Sequence, residues 1–172
     1  MIIAAFWVLF CVFVGIVNSK ESKPQQSSNS VEYTEYAPLS DFEYYVDNES
    51  VILKDYKGHS SVVRISPEYS IDGTPMPVIG LDGTFTLKSV ESVIVPEGVT
   101  TIVHNTFNSS GIKYLFLPVS LTDFSGWNYF HDMKKLYYGG TREQWEALYT
   151  GERSQLDVVQ IICEATPESI SE

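Results

Sequence analysis

Three histidines, two cysteines and an excess of acids are the residues of this chain that could do chemistry. His59 follows Gly58 in a turn-like stretch, and His104 and His131 lie 27 residues apart at inequivalent places. A transition-metal site needs ligands at short regular spacing, such as H-x-x-x-H or a Cys/His cluster, and neither occurs; the acid spacing of a calcium loop is also missing. Cys11 lies in an apolar run, and Cys163 closes VVQIIC, where it reads as a small buried hydrophobe. Two such cysteines make no disulfide framework. Acyl hydrolysis needs a nucleophile, a base and an orienting carboxylate. Serines are plentiful, but G-x-S-x-G is absent. Asp123 and Asp132 fall in turn regions and read as solvated turn formers. Gly139-Gly140 reads as a turn rather than a phosphate cradle, and neither G-x-G-x-x-G nor a P-loop occurs. No catalytic, cofactor-binding or metal residue is assigned, and a non-enzymatic role is expected.

The elements that would position any site are read from composition first. The chain has 172 residues and a formal net charge of -11, a length that suits one domain with tails. The charge is uneven. Residues 20–53 carry seven acids and two bases, and residues 154–172 carry four acids and no base. Residues 54–153 carry eleven acids and nine bases, a net of only -2. Such a balance argues against nucleic acid, whose phosphates demand Lys and Arg, and against a polybasic membrane surface. Residues 2–17, IIAAFWVLFCVFVGIV, are apolar throughout, short for a spanning helix but suited to a signal-peptide core. Cleavage before Lys20 gives a secreted protein; retention gives an anchored one with the domain exported, and only this run would touch membrane. Residues 20–41, polar and acidic, read as a disordered linker; residues 42–163 as the folded domain; residues 164–172 as a flexible acidic tail.

An internal repeat dominates the folded part. VESVIVPEGVTTIVHNTF, Val90–Phe107, is followed by IKYLFLPVSLTDFSGWNYF, Ile112–Phe130. Val90, Val93, Val95 and Pro96 align with Ile112, Leu115, Leu117 and Pro118 at a shift of 22, as do Val99 and Ile102 with Leu121 and Phe124. Phe107 aligns with Phe130 at 23. A further unit opens at Met133, Leu136 and Tyr138, and a divergent one runs Val62–Phe85, with IDGTPMP filling its turn. In each unit V-x-V or L-x-L makes a short strand with alternate side chains inward, and Pro ends the ladder by removing a donor. One unit cannot bury its apolar face alone, so units stack and their strands pair in parallel. Before the repeat, FEYYVDNESVILKDY reads as two strands about a turn at Asp47-Asn48-Glu49.

These units resemble the leucine-rich repeats of the family of bacterial and protozoan surface proteins typified by the BspA antigen. The family unit runs L-x-x-V-x-I-P, x-x-V-x-x-I, a small turn and A-F. The entry strands VILKDYKG and VVRISPEYSIDGTPMPVIGLDGTF and the closing LYYGGTREQWEALYT are similar to that family's ends. The resemblance covers residues 44–163; it departs where A-F becomes Thr106-Phe107 and Tyr129-Phe130. It implies a β-rich leucine-rich-repeat solenoid: short parallel strands stacked with irregular returns, N-terminal strands and a small C-terminal capping helix. It also implies surface-associated or secreted binding of a protein, or of a glycan. A structural coat component without a specific ligand and an enzyme of unrecognised type are the alternatives.

The closing helix has its own signals. Thr141 with Gln144 makes a capping box, Trp145, Leu148 and Tyr149 share a face, and Gly151 stops the helix. VVQII would add a last strand. Between the inward residues, Ile94, Phe116 and Tyr137 form an outward stripe spaced 22 and 21 apart. That stripe, with Trp127 on a neighbouring ridge, is the candidate interaction face; internal packing is the alternative for all four. Tyr33, Tyr36, Tyr44 and Tyr45 form a second aromatic cluster where linker meets first strand. Asn48-Glu49-Ser50 and Asn108-Ser109-Ser110 fit the N-glycosylation pattern.

Overall fold

The computed structural model describes residues 35–103, 105–124, 131–148 and 159–170. The first strands of the described residues are a hairpin, β1 (Phe42–Asp47) and β2 (Ser50–Tyr56), paired antiparallel. Its loop is the two residues Asn48 and Glu49, both left-handed at φ 46° and 60°, the geometry that matches the twist of the flanking strands. From β3 (Val62–Arg64) onward the chain coils. A five-stranded parallel sheet is built from β3, β6 (Ser92–Ile94), β8 (Tyr114–Leu117), β10 (Lys135–Tyr138) and β11 (Gln160–Ile162). The returning limbs form the other sheet, in the order β1, β2, β5 (Thr74–Leu81), β7 (Thr101–Ile102) and β9 (Asp123–Phe124), with β4 (Glu68–Ile71) paired to β5. The result is a strand-rich β-solenoid of about three turns with little helix.

The register explains why the repeat length recurs. Val63, Val93, Leu115 and Leu136 are consecutive partners across β3, β6, β8 and β10 and are fully buried. Leu53, Leu81, Ile102 and Phe124 do the same across β2, β5, β7 and β9. Burying a branched aliphatic chain contributes about 1.5–3 kcal/mol, an upper figure because unfolded chains are already partly compact. These two columns face each other and make the core. Pro96 and Pro118 end their strands alike: each carbonyl accepts the N–H three residues on, from Val99 and Leu121, at 3.4 Å.

An aromatic column closes one side of the core. Phe42, Tyr56, Phe85 and Phe107 succeed one another at ring separations of 5.3, 5.7 and 5.9 Å, and the last pair is stacked. Phe85 and Phe107 are each preceded by a buried threonine. Thr84 Oγ1 donates to Leu53 O at 2.9 Å. Thr106 Oγ1 lies 2.8 Å from Val103 O and 3.3 Å from Leu81 O, and it accepts the Gly83 N–H at 3.2 Å. The threonine at this place therefore ties one coil to the carbonyls of the one before, a task alanine could not perform. The turns repeat as well: Gly83 and Asn105, then Leu87 and Ser109, are left-handed pairs.

Three expectations are corrected. The segment IDGTPMP is not a turn filling but the tip and second strand of the β4–β5 hairpin, turning at Asp72-Gly73 (φ 51° and 83°). Pro75 and Pro77 fit inside β5 because they oppose Ser70 and Glu68, alternate positions that turn no N–H toward β4. The expected linker ends before residue 41: Ala37 and Leu39 pack on the core, and Ala37 N–H donates to Arg64 O at 2.8 Å. Residues 164–170, read as a free acidic tail, are instead folded onto the parallel sheet, with Ala165 and Ile170 buried. Their apolar residues are only two, separated by T-P-E-S, so composition conceals them.

The helix α1 (Arg142–Leu148) forms as its capping box requires. Gln144 Oε1 accepts the Thr141 N–H at 2.7 Å, and Thr141 Oγ1 accepts the Gln144 N–H at 3.3 Å. Trp145 is buried against Tyr138 and Phe124, closing the end of the core. Tyr149 and Gly151 lie outside the described residues, as do the segment 1–34, Phe130 and Tyr129.

Candidate functional site

Each coil contributes one outward residue to the parallel sheet between its inward pair. Ile94, Phe116 and Tyr137 fall in register on β6, β8 and β10, so the spacing does bring them into one stripe. The stripe is covered, each member retaining only 2% exposure. Tyr114 widens it, and Ala165, Ile170 and the partly buried Ile162 complete the cluster. The physical reason is simple: a row of large apolar groups on a sheet face attracts the nearest apolar side chains the chain can bring back. Trp127 lies outside the described residues.

The covering segment is fixed at its start by two backbone bonds, Glu164 N–H to Gly140 O at 2.8 Å and Ala165 N–H to Tyr138 O at 3.1 Å. Glu164 is left-handed, φ 56°, which reverses the chain after β11. Residues Pro167–Ser169 form a single 3-10 turn capped within itself, Ser169 Oγ accepting the Thr166 N–H at 2.9 Å. Farther along, Glu168 Oε1 stands 3.6 Å from an Arg64 guanidinium nitrogen, and Arg64 also stacks on the Tyr36 ring at 5.2 Å.

The open apolar surface is at β1. Tyr44, Tyr45 and Val46 are 40–44% exposed, and Tyr36 is more exposed still; Tyr33 is outside the described residues. Among the described residues no strand pairs the outer side of β1. Asp47 and Ser50 flank the two-residue loop, and pairs alternate from there. Tyr45 and Asp47 thus turn their backbone groups to β2, while Tyr44 and Val46 turn theirs outward. Lys54 lies 5.8 Å from the Tyr45 ring centre and covers its face.

A polar cleft of about 410 Å3 crosses the loops that enter the parallel sheet. Lys88, Ser89, Ser109, Lys113, His131 and Asp132 are among its walls. Its lysines are engaged: Lys88 with Asp55 at 2.8 Å and Lys113 with Glu91 at 2.6 Å. The Glu91 hydrogen bond is the main reason the Lys113 ammonium titrates above its ordinary range. Glu91 and Lys113 occupy equivalent places in successive coils, so the cleft is a by-product of stacking rather than convergence on one point.

The other chemically capable residues are scattered. His59 and His131 are exposed and far apart in the chain, and His104 is outside the described residues. Among the described residues no group of three His, Cys, Asp or Glu could hold a metal ion. Cys163 is half-buried, and burial pushes its thiol up, away from thiolate reactivity. No described helix is long and apolar enough to cross a membrane. No protein-family model, curated protein or solved structure matches the chain. Sequence reasoning found the stripe and the tyrosine cluster but missed the open strand edge. Local sequence carried no signal for it, because an edge is defined by which strands pair there and not by the residues of the strand itself.

Proposed function

We propose that this chain is a non-enzymatic leucine-rich-repeat domain of the BspA-like kind, acting in secreted form or at the cell surface, where it binds a protein. The repeat at 22 residues, the resemblance of its units and the apolar run at residues 2–17 support that reading. The observation that carries it is the outer edge of β1, which no strand of the described residues pairs, with Tyr44, Tyr45 and Val46 exposed beside outward backbone groups. Proteins ordinarily blunt such an edge with charge, proline or cover. Left open, it suits an extended protein segment that adds a strand, with main-chain bonds for affinity and tyrosines for grip. The nearby Asp47 and Glu49 favour a segment bearing a basic residue.

The test is capture of a partner from cell-surface extract by the purified protein. Val46→Pro removes an outward donor without touching the bonds to β2, and Tyr44→Ser removes an exposed ring. Both variants should keep the melting temperature and lose the partner. Capture that persists in both variants takes the edge out of the function; no capture by the unaltered chain leaves the structural role.

A further inference from the structure

We propose that the outward face of the parallel sheet is a peptide site held closed by the chain's own residues 164–170, and that its exchange partner is a short acidic peptide with a branched aliphatic residue two positions after its acid. The cover itself supplies the chemistry of the ligand. Ile170 fills the apolar floor of Ile94, Tyr114, Phe116 and Tyr137, and Ala165 packs at the other end. Between them Glu168 reaches Arg64 across the sheet at 3.6 Å.

Three features make this cover exchangeable. It is tied by backbone bonds at its first two residues, next to the reversal at Glu164. Its middle bonds to itself: the Thr166–Ser169 turn is a preformed unit that needs nothing from the sheet. Beyond those backbone bonds, the described anchors of the cover include one aliphatic side chain, one small one and an ion pair whose Glu168 partner is 70% exposed. An exposed ion pair adds little on its own, and ordering seven residues opposes the docking. The floor beneath differs in kind, because it is rigid sheet with four large side chains in fixed register. A free peptide competes with a tethered copy of itself, so its affinity falls by the fraction of time the site stands open.

The experiment uses the full chain and a fluorescent peptide with the sequence of Glu164–Ile170, read by anisotropy. Ile170→Asp places a charge on the apolar floor and releases the cover. The unaltered protein should bind the peptide weakly, and Ile170→Asp at least tenfold more tightly. Adding Arg64→Glu should cancel that gain, and a peptide with Glu168→Lys should recover it. The Val46→Pro variant should bind like the unaltered chain, since β1 belongs to the other sheet. Equal weak binding by a folded Ile170→Asp protein overturns the proposal. So does loss of its cooperative melt, which would make the segment part of the core rather than a cover. Binding indifferent to Arg64 overturns the acidic requirement.

Discussion

The two sheets are built from the same coils, yet they treat their outer faces in opposite ways. On the first sheet the outward row runs Tyr45, Ile52, Gly80, Thr101 and Asp123, in which Ile52 is the one aliphatic side chain and is only half-buried. On the parallel sheet the outward residues are Ile94, Tyr114, Phe116 and Tyr137, and they are buried. One sheet thus has a single packed face and the other has two. A sheet packed on both sides should read as a run of apolar residues, and YLFL in β8 does so, whereas TI and DF in β7 and β9 alternate. The difference teaches that a solenoid coil is not symmetric about its core. In the two clear repeats the limb with the longer strand, β6 or β8 against β7 or β9, carries the surface that the rest of the chain must answer.

That contrast can be broken from either side. Leu115→Ala empties an inward position fully enclosed by neighbouring coils, and Phe116→Ala empties the outward one beside it. Each should cost about 2–5 kcal/mol by denaturant titration, because both leave cavities. A Phe116→Ala cost under about 0.5 kcal/mol, the ordinary range for surface positions, would show the outer face to be open in solution. Next in size is Thr106→Val, which keeps shape and removes the hydroxyl linking two coils. About 1–3 kcal/mol should be lost, since Gly83 N–H and the carbonyl of Leu81 or Val103 lose a partner. Thr101→Val, on the exposed side of the first sheet, should change stability by no more than about 0.5 kcal/mol.

A last effect is read at alkaline pH. Burial above all pushes the Tyr69 phenol up to about 12; the Asp41 charge adds to this, and the hydrogen bond from Ser66 N–H opposes it. Its hydroxyl donates to Ala37 O at 2.8 Å, holding the entry segment. The folded state therefore keeps this proton longer than the unfolded chain does. The contribution is complete below about pH 10 and is lost as pH rises toward 12. Tyr69→Phe should be less stable at neutral pH and should lose less stability than the parent chain between pH 10 and 12, measured by melting across that range.

The stacking was legible because inward residues must recur wherever each coil passes its neighbour. Val93 and Leu115 announce each other across 22 residues, as Thr141 and Gln144 announce the helix across one turn. The aromatic stripe was legible as a row, but its burial was not. Burial there depends on Ala165 and Ile170, which follow no period and sit among polar residues. The β4–β5 hairpin hid behind prolines that ordinarily argue against strands and are harmless only in one phase of the pairing. The β1 edge hid because openness is a property of what fails to arrive alongside, which local sequence does not encode.

The pairing registers also govern how the molecule can assemble in time. Partner residues are 30, 22, 21 and 25 positions apart across successive strands of the parallel sheet. Because closure entropy grows only with the logarithm of loop length, these four closures cost nearly the same. No long-range search sets a single slow step, and each finished coil is the template for the next. A chain emerging from its amino end can therefore fold progressively, with residues 164–170, the final cover, arriving last on a face already complete.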